Sequence, residues 1–338
     1  MSATAVAVVV NWNGGTVVSD AVASLLVQDL ASVEVVVVDN ASSDGSAEAL
    51  EARFGARVHV VRSPRNAGWG AANNLGIHAS SAAFVVLLNS DAVAEPGLVR
   101  ELVAAAEADP RIGMVAAKVL DYERRSRIDT VGHLLYPDGL NRGRGRLEED
   151  LGQFDGETEA LFPSGAAALY RRSMLDEIGL FDEGFFLYGD DAELGLRGRL
   201  AGWRCALAPR ARAYHRYSYS SGAYSSLKAF HVERNRVFVL CGLLPWSWIV
   251  LSPVWTALRL AFQAWGAVRG RGAAAHLARE RSLWHLALVT LRAWAAALAG
   301  LPRVLRRRRR LVRRLSVLEW ASLLRRHRLG ARELALKD

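Results

Sequence analysis

The chain has 338 residues, 51% of them hydrophobic, and a formal charge of +9, enough for one large α/β domain and an appendage. The charge is divided: residues 238–338 hold 19 Lys and Arg against 4 Asp and Glu, residues 1–237 hold 24 against 30, so a mildly acidic body precedes a basic tail. The tail mixes Arg with Leu, Trp and Ala, which suits an anionic membrane surface and speaks against nucleic acid, and the two cysteines, Cys205 and Cys241, fit neither a metal spacing nor a disulfide scaffold.

The apolar run at 5–10 has no basic residues before it and stops at Asn11, too short for a signal segment, so a body kept in a reducing compartment is expected. Residues 5–10, 34–38, 58–61 and 84–88 are short Val-rich runs that read as strands buried on both faces. Helical segments at 16–26, 46–54 and 71–79 alternate with them, which predicts an α/β fold with a mainly parallel sheet. Pro96 opens a helix through 108, and 113–120 is a further strand. Residues 121–160 have weak periodicity and read as an excursion over the active-site face. A strand at 166–170, a helix at 172–178 and a strand at 203–207 follow. The spacing divides the chain into a catalytic domain, 1–237, and a helical Arg-rich region, 238–338.

Ligands of open α/β sheets sit at the carboxyl ends of the strands. Asn11, Asn13, Asp39 and the triplet Asn89-Ser90-Asp91 all fall there. Asp39 directly after its strand can accept from a nucleotide base or ribose, whereas Asp44 fits an Asx turn that starts the next helix. The loop Arg65-Asn66-Ala67-Gly68-Trp69-Gly70, running into a helix that carries Asn73, allows close backbone approach to a phosphate, or is a plain helix-entry turn. It lacks the glycine spacing of a dinucleotide oxidoreductase. Asp91 suits a hard divalent cation bridging two phosphates, and His215 is either a second ligand or a hydrogen-bonded structural residue. The stretch Tyr188-Gly189-Asp190-Asp191-Ala192-Glu193 sets two acids at a helix start. Asp190 with Glu193 can form a capping box. That leaves Asp191, which a general base beside a bound hydroxyl would explain.

Together, the segments Val9 to Gly14, Val38 to Ser46, Asn66 to Asn73, Leu88 to Asp91, Ser164 to Ala167, Phe181 to Phe186 and Tyr188 to Glu193 resemble a family 2 glycosyltransferase of the GT-A fold, in the bacterial rhamnosyltransferase-like branch. The resemblance implies an inverting transferase that adds a single sugar, rhamnose favoured, to a lipid-linked or cell-envelope glycan acceptor. It places a donor such as dTDP-rhamnose or a UDP- or GDP-sugar among Asn11, Asn13, Asp39, Asn66, Gly68, Asn73 and Asp91. Asp191 would be the base, Asp91 and His215 would hold Mg or Mn, and Gly165, Asp190 and Glu193 would lie on the acceptor side. Two departures stand out: Asn89 replaces the first acid of the D-x-D motif, and Arg199-Leu200-Ala201-Gly202-Trp203-Arg204 lacks the Q-x-x-R-W signature of processive synthases. The contrasting expectation is a catalytically silent membrane-bound scaffold that keeps the nucleotide fold.

In the tail, 243–262 is apolar but interrupted by Pro245, Pro253 and Arg259, and 283–301 has Arg292 near its centre, which makes it a poor span. Arg281, His285 and Arg292 share one helical face, and Leu311, Leu315, Leu318 and Ala321 form a short apolar stripe. Attachment to the cytoplasmic face of the membrane is expected, the alternative being helices that pack on the body or on a second subunit.

Overall fold

The computed structural model describes residues 3–216, 225–270 and 283–336. Strands β1 (Ala5–Asn11), β2 (Val33–Asp39), β3 (His59–Arg62) and β4 (Phe84–Leu88) pair in parallel in the order β3-β2-β1-β4. Their sequences lack polar alternation because both faces are covered. Val6 and Val8 enter one core and Ala5, Ala7 and Val9 the other, all fully buried. Each Val so buried is worth about 1.5–3 kcal/mol, so these short runs hold as strands without help from their ends. Helices α1 (Val17–Leu25), α2 (Ser46–Phe54) and α3 (Trp69–His78) connect them. A Cβ on Gly76 would stand 2.4 Å from Val8 Cγ1, so glycine is what lets α3 rest on β1.

Strand and helix alternation thus predicts this half of the sheet correctly, but the other half is mixed. Strand β5 (Ala92–Ala94) and helix α4 (Leu98–Glu107) lead into β6 (Ile112–Asp121), which ends at the carboxyl edge. The chain crosses that edge and re-enters from it as β10 (Ala167–Arg171), which therefore runs antiparallel between β4 and β6. Helix α5 (Arg172–Ile178) and a loop carry it back to the same edge, where α6 (Asp190–Leu200) begins. Strand β11 (Arg204–His215) then runs parallel to β6, with β5 antiparallel beside its end.

The excursion at 121–160 has structure of its own. Within it, β7 (Ile128–Thr130) pairs with β6, and β8 (His133–Leu135) with β9 (Asn141–Gly143) forms a hairpin. Lys118, wholly buried in β6, anchors it by donating to both Asp150 carboxylate oxygens at 2.8 and 2.9 Å and to Asp155 at 2.5 Å.

Helices α7 (Ser226–Leu243), α8 (Trp246–Val268), α9 (Leu283–Arg308), α10 (Val317–Arg326) and α11 (Ala331–Leu336) follow, and they pack on the body. Ala192, Leu196 and Leu200 of α6 share a core with Phe238, Val239 and Leu243 of α7, Ala297 and Val304 of α9, and Trp320, Leu323 and Leu324 of α10. A buried polar cluster crosses the same junction. Arg259 donates to Asp138 at 2.7 Å and to Glu233 at 3.1 Å, Trp294 donates to Glu233 at 2.8 Å, and Arg236 donates to the Asp138 carbonyl at 2.9 Å. Arg259 is therefore an inward-facing ion-pair residue, not a break in a membrane segment.

His285 and Arg292, seven residues apart in α9, share one helical face, His285 bonding Ser226 at 2.9 Å and Arg292 standing exposed; Arg281 lies outside the described residues. One expectation for the tail is corrected. Leu318 is 78% exposed, because α10 turns Trp320, Ala321, Leu323 and Leu324 inward instead. Outer faces of α8 and α9 remain apolar, with Trp246, Val250 and Val254 exposed on one and Trp284, Leu291 and Leu298 on the other. By length and composition, Trp284–Arg308 is sufficient to cross a membrane despite Arg292.

Candidate active site

Asp39 and Asp91 stand at the carboxyl edge of the sheet, and Asp190 and Asp191 open α6. Asn11 and Asp39 are register partners at the ends of β1 and β2. Asn11 donates to Asp39 Oδ1 at 3.2 Å and to Ser46 Oγ at 2.8 Å, and its own Oδ1 accepts from Gly14 N–H at 3.2 Å. Asn11 thus holds the turn and the Asp39 carboxylate, whose Oδ2 has no protein partner among the described residues. Asn13, at φ 52°, accepts from the Ser43 N–H at 2.8 Å and clips the two strand-end loops together. Asn66 accepts from Asn40 at 3.0 Å and from Gly68 N–H at 3.0 Å.

The start of α3 is already occupied. Gly68, at φ 90°, lies against Phe186, and the Trp69 N–H donates to the Phe186 carbonyl at 2.7 Å. That donor is closed to a phosphate by the loop from residue 182 to 188. Asn73 turns into its own helix, donating to the Trp69 carbonyl at 2.9 Å. The Gly68 loop therefore joins two walls of the site, and the Asn73 amide nitrogen is engaged within its own helix.

Trp69 ties the middle together. Its indole N–H donates to Asn89 Oδ1 at 3.1 Å, and its ring lies where a Gly165 Cβ would be, 2.7 Å from Cη2. Gly165 is needed for that approach, and its N–H donates to Asp191 Oδ2 at 3.2 Å. Asp191 Oδ1 accepts its neighbour Ala192 N–H at 2.8 Å. Both oxygens are thus oriented by backbone donors, at the start of a helix whose dipole favours negative charge.

Asp190 and Glu193 take other roles than a capping box. Gly189, at φ 79°, is the residue before the helix, and Asp190 is its first helical residue. Glu193 receives both Nε and Nη2 of Arg197 at 2.9 Å, the i, i+4 pairing of one helix face. Burial, reinforced by the charge of Asp191, pushes the Asp190 carboxyl up to about 8, and its Oδ2 has no partner. Asp190 is therefore a neutral acid at ordinary pH beside an exposed-edge carboxylate.

Asp91 and His215 meet across β5 and β11, with His215 Nε2 3.2 Å from Asp91 Oδ1. His215 Nδ1 lies 2.7 Å from Asp129 Oδ2, and Arg146 pairs with the other Asp129 oxygen. Burial opposes the imidazolium, but Asp91 and Asp129 outweigh it and raise His215 to about 10. Among the described residues no group of three His, Cys, Asp or Glu side chains is gathered for a metal. The donor set is one carboxylate and one imidazole nitrogen, both buried and converging; it fits a hard divalent ion that would displace the His215 proton facing Asp91 and take its remaining oxygens from a diphosphate and water.

Sequence reasoning missed Asp129, Arg146, His133, Trp69 and Asn235. His133 stacks on Phe162 at 5.1 Å, and burial holds it below the usual imidazole range although Asp191 and Asp129 pull the other way. Asn235 in α7 donates to the carbonyls of Phe185, Leu187 and Tyr188 at 3.0, 2.9 and 2.6 Å. It fixes a loop in which Phe186 and Tyr188 both adopt φ 64°, a conformation costing such residues about 1–3 kcal/mol each. The one available signal was a polar run, Glu233-Arg234-Asn235-Arg236, in an otherwise apolar helix.

A curled mixed sheet with carboxylates at its carboxyl edge and an acid-led helix beside it defines a GT-A transferase. Solved structures share the fold. GalNAc-T7 with UDP, GalNAc and Mn²⁺ matches with a TM-score of 0.55 at 18% identity over 71% of this chain, which spans about half, 48%, of that structure. A mannosyltransferase from Pyrobaculum calidifontis in complex with GDP-Man and Mn²⁺ matches with a TM-score of 0.52 at 18% identity, covering 95% of this chain and 87% of that one. The N-acetylglucosaminyl-diphospho-decaprenol L-rhamnosyltransferase of Mycobacterium tuberculosis is 28% identical over 66% of this chain and 80% of its own length. The pre-mycofactocin glycosyltransferase of the same organism is 28% identical over 81% of this chain and 59% of its own length. The profile described as glycosyltransferase like family 2 matches residues 3–236, and the chain belongs to that family. It is a glycosyltransferase enzyme.

Proposed function

We propose that this glycosyltransferase transfers a single sugar, rhamnose favoured, from a nucleotide-diphosphate donor to a lipid-linked or cell-envelope glycan acceptor, with inversion, at the cytoplasmic face of the membrane. The observation that carries the reading is Asp191, whose Oδ2 is held by the Gly165 N–H at 3.2 Å on the edge shared with Asp39 and Asp91. The rhamnosyltransferase relative named above supports the sugar and the lipid-linked acceptor.

The chemistry follows from the residue types. Asp191 is a single oriented carboxylate and takes the proton of the acceptor hydroxyl as it attacks the anomeric carbon, in line with the departing diphosphate. Neutral Asp190 adds no second negative charge beside the base. Asp39, positioned by Asn11, takes the nucleotide base or ribose. Asp91 and His215 would hold a Mg²⁺ or Mn²⁺ ion, which when bound offsets charge on the leaving diphosphate. Asp129 keeps His215 Nε2 turned toward Asp91. The exposed apolar faces of α8 and α9 would rest in the membrane interface, with flanking arginines on anionic headgroups.

The test is a panel of nucleotide sugars, with and without Mg²⁺ or Mn²⁺, read by thermal stabilisation and then by transfer to a lipid-diphosphate sugar, with the product's anomeric configuration set against the donor's. Inversion with dTDP-rhamnose is expected. Retention of configuration would exclude a lone base, and stabilisation by nucleotide without turnover of any donor would leave a binding scaffold instead.

A further inference from the structure

The orientation of the Asn89 amide is fixed by its neighbours. An indole N–H only donates, so the atom that meets Trp69 Nε1 at 3.1 Å is the Asn89 oxygen, and Nδ2 takes the opposite side. There it lies 3.4 Å from His215 Nε2, the nitrogen that stands 3.2 Å from Asp91 Oδ1. The residue in place of the first acid of a D-x-D motif therefore turns its N–H2 group, and not an oxygen, toward the pair that would hold the ion. Its oxygen is already engaged by Trp69.

Both partners are held rigidly. The Asn89 backbone N–H donates to the Ala166 carbonyl at 3.1 Å, and its carbonyl accepts from the Ala92 N–H at 3.0 Å, so the chain is gripped from two sides just past the end of β4. The Trp69 backbone N–H donates to Phe186, and its ring meets Phe181 edge-on at 5.2 Å and rests on Gly165. An amide nitrogen carries two hydrogens. His215 Nε2 takes at most one, and no protein oxygen among the described residues takes the other. A preorganised donor with an open hydrogen suits a group that gains negative charge as it departs. Asp91 repels such an anion unless a cation lies between them, whereas an amide N–H meets it directly.

We infer that Asn89 Nδ2 donates to a diphosphate oxygen of the bound donor, and that Trp69 is the positioning residue that turns the amide for this. The inference rests on the sugar-transfer reading and adds a leaving-group contact that does not depend on the ion. As the bond from the anomeric carbon to the β-phosphate oxygen breaks, its electron pair stays on the diphosphate, while Asp191 takes the proton of the attacking hydroxyl. The donated N–H strengthens as that charge grows. One indole thereby connects both ends of the displacement, since the same ring rests on Gly165, whose N–H orients Asp191.

The experiment uses the full chain with Asn89→Asp, Asn89→Ala and Trp69→Phe. Aspartate fills the same space and still accepts from Trp69, but its second oxygen cannot donate. Alanine removes the donor without adding charge, and phenylalanine keeps a ring over Gly165 but loses the N–H that turns the amide. Binding of dTDP, UDP and GDP, each against its own nucleoside, is read by calorimetry in chelator and again in Mn²⁺, beside donor turnover. In chelator the wild type should bind the diphosphate it prefers. Asn89→Ala should weaken that binding about 10-fold, Asn89→Asp about 10–100-fold and Trp69→Phe about 3–10-fold, with nucleoside affinity unchanged in all three. Turnover by Asn89→Asp in saturating Mn²⁺ should drop about 10²–10³-fold, although its added carboxylate leaves Mn²⁺ affinity equal or tighter. Combining Asn89→Asp with Trp69→Phe should cost no further diphosphate affinity, because Trp69 acts through the amide.

Higher turnover with tighter Mn²⁺ binding by Asn89→Asp would overturn the inference by making residue 89 a metal ligand. Loss of nucleoside affinity in step with diphosphate affinity would overturn it in favour of a ribose contact. Equal diphosphate affinity of wild type and Asn89→Ala in chelator would overturn it by leaving Asn89 as a tether for Trp69 alone, and so would a wild type that binds no diphosphate without the ion. Diphosphate binding with no turnover of any donor by wild type would instead defeat the sugar-transfer reading, while the chelator series would still report on Asn89.

Discussion

His215 Nδ1 lies 2.7 Å from Asp129 Oδ2, across 86 residues of chain, so the excursion between β6 and β10 reaches back to orient an imidazole at the sheet edge. Asp129→Asn keeps the volume and removes the charge. Donor diphosphate affinity in Mg²⁺ should fall about 10–100-fold, the usual cost of losing a carboxylate behind a ligating histidine. Calorimetry of nucleotide diphosphate binding with and without the cation reads this directly. Unchanged affinity in both would mean that His215 is oriented without Asp129.

Neighbouring acids should behave oppositely. Asp191→Asn is expected to lower turnover about 10²–10⁴-fold with donor affinity retained, whereas Asp190→Asn, a mimic of its protonated form, should keep most of it. Stability carries the second signature. Burial pushes Asp190 up to about 8 in the folded state from its ordinary 3.8, so between those limits the folded state holds the extra proton and stability falls as pH rises, levelling above about 8. Asp190→Asn should flatten that slope and raise the melting temperature near pH 8. A melting profile parallel to wild type would refute the buried neutral acid.

Gly165→Ala places a methyl 2.7 Å from the Trp69 ring. Either the ring leaves Asn89 or the Gly165 N–H leaves Asp191, and kcat should drop at least about 10-fold in either case. Combining it with Trp69→Leu should recover stability, since the clash is gone, but not full turnover. Wild-type kinetics for the single variant would show that the ring can shift at no cost to the base.

Asn235→Ala strips the Leu187 and Tyr188 carbonyls of their donor in one step, while the Phe185 carbonyl keeps the Leu187 N–H and Arg234. A loss of about 2–4 kcal/mol in urea unfolding is expected, from groups left buried without partners. Turnover should fall more than donor affinity, because the loop that Asn235 supports leads into Asp190 and Asp191. If unfolding shifts and kcat does not, the loop geometry matters only to stability.

Much of this site is visible in the sequence because each acid follows a Val-rich strand or a Gly turn directly, as with Asp39, Asp91 and Asp191. Local order is enough to find them. Asp129, Asn235 and Lys118 are different: their roles exist only once distant segments pair, and an Asp in a three-residue strand has no periodicity to mark it. The direction of β10 depends on which sheet edge the chain re-enters from, and a sequence pattern does not record that. Glu193 was legible in another way, since Arg197 stands four residues on, but the acid at 190 offered a competing local partner, and only the left-handed Gly189 decides between them.

The charges buried between the α6 side of the body and the helices that follow are split between the two parts: Asp138 belongs to the excursion, and Arg259 and Glu233 to α8 and α7. Body and tail are therefore not interchangeable modules. Grafting the helices of a paralogue onto this body would strand one member of the set, and an orphaned buried charge costs about 3–5 kcal/mol. Any evolutionary exchange of acceptor-facing helices must carry residue 138 with it, and an engineered chimera should do the same.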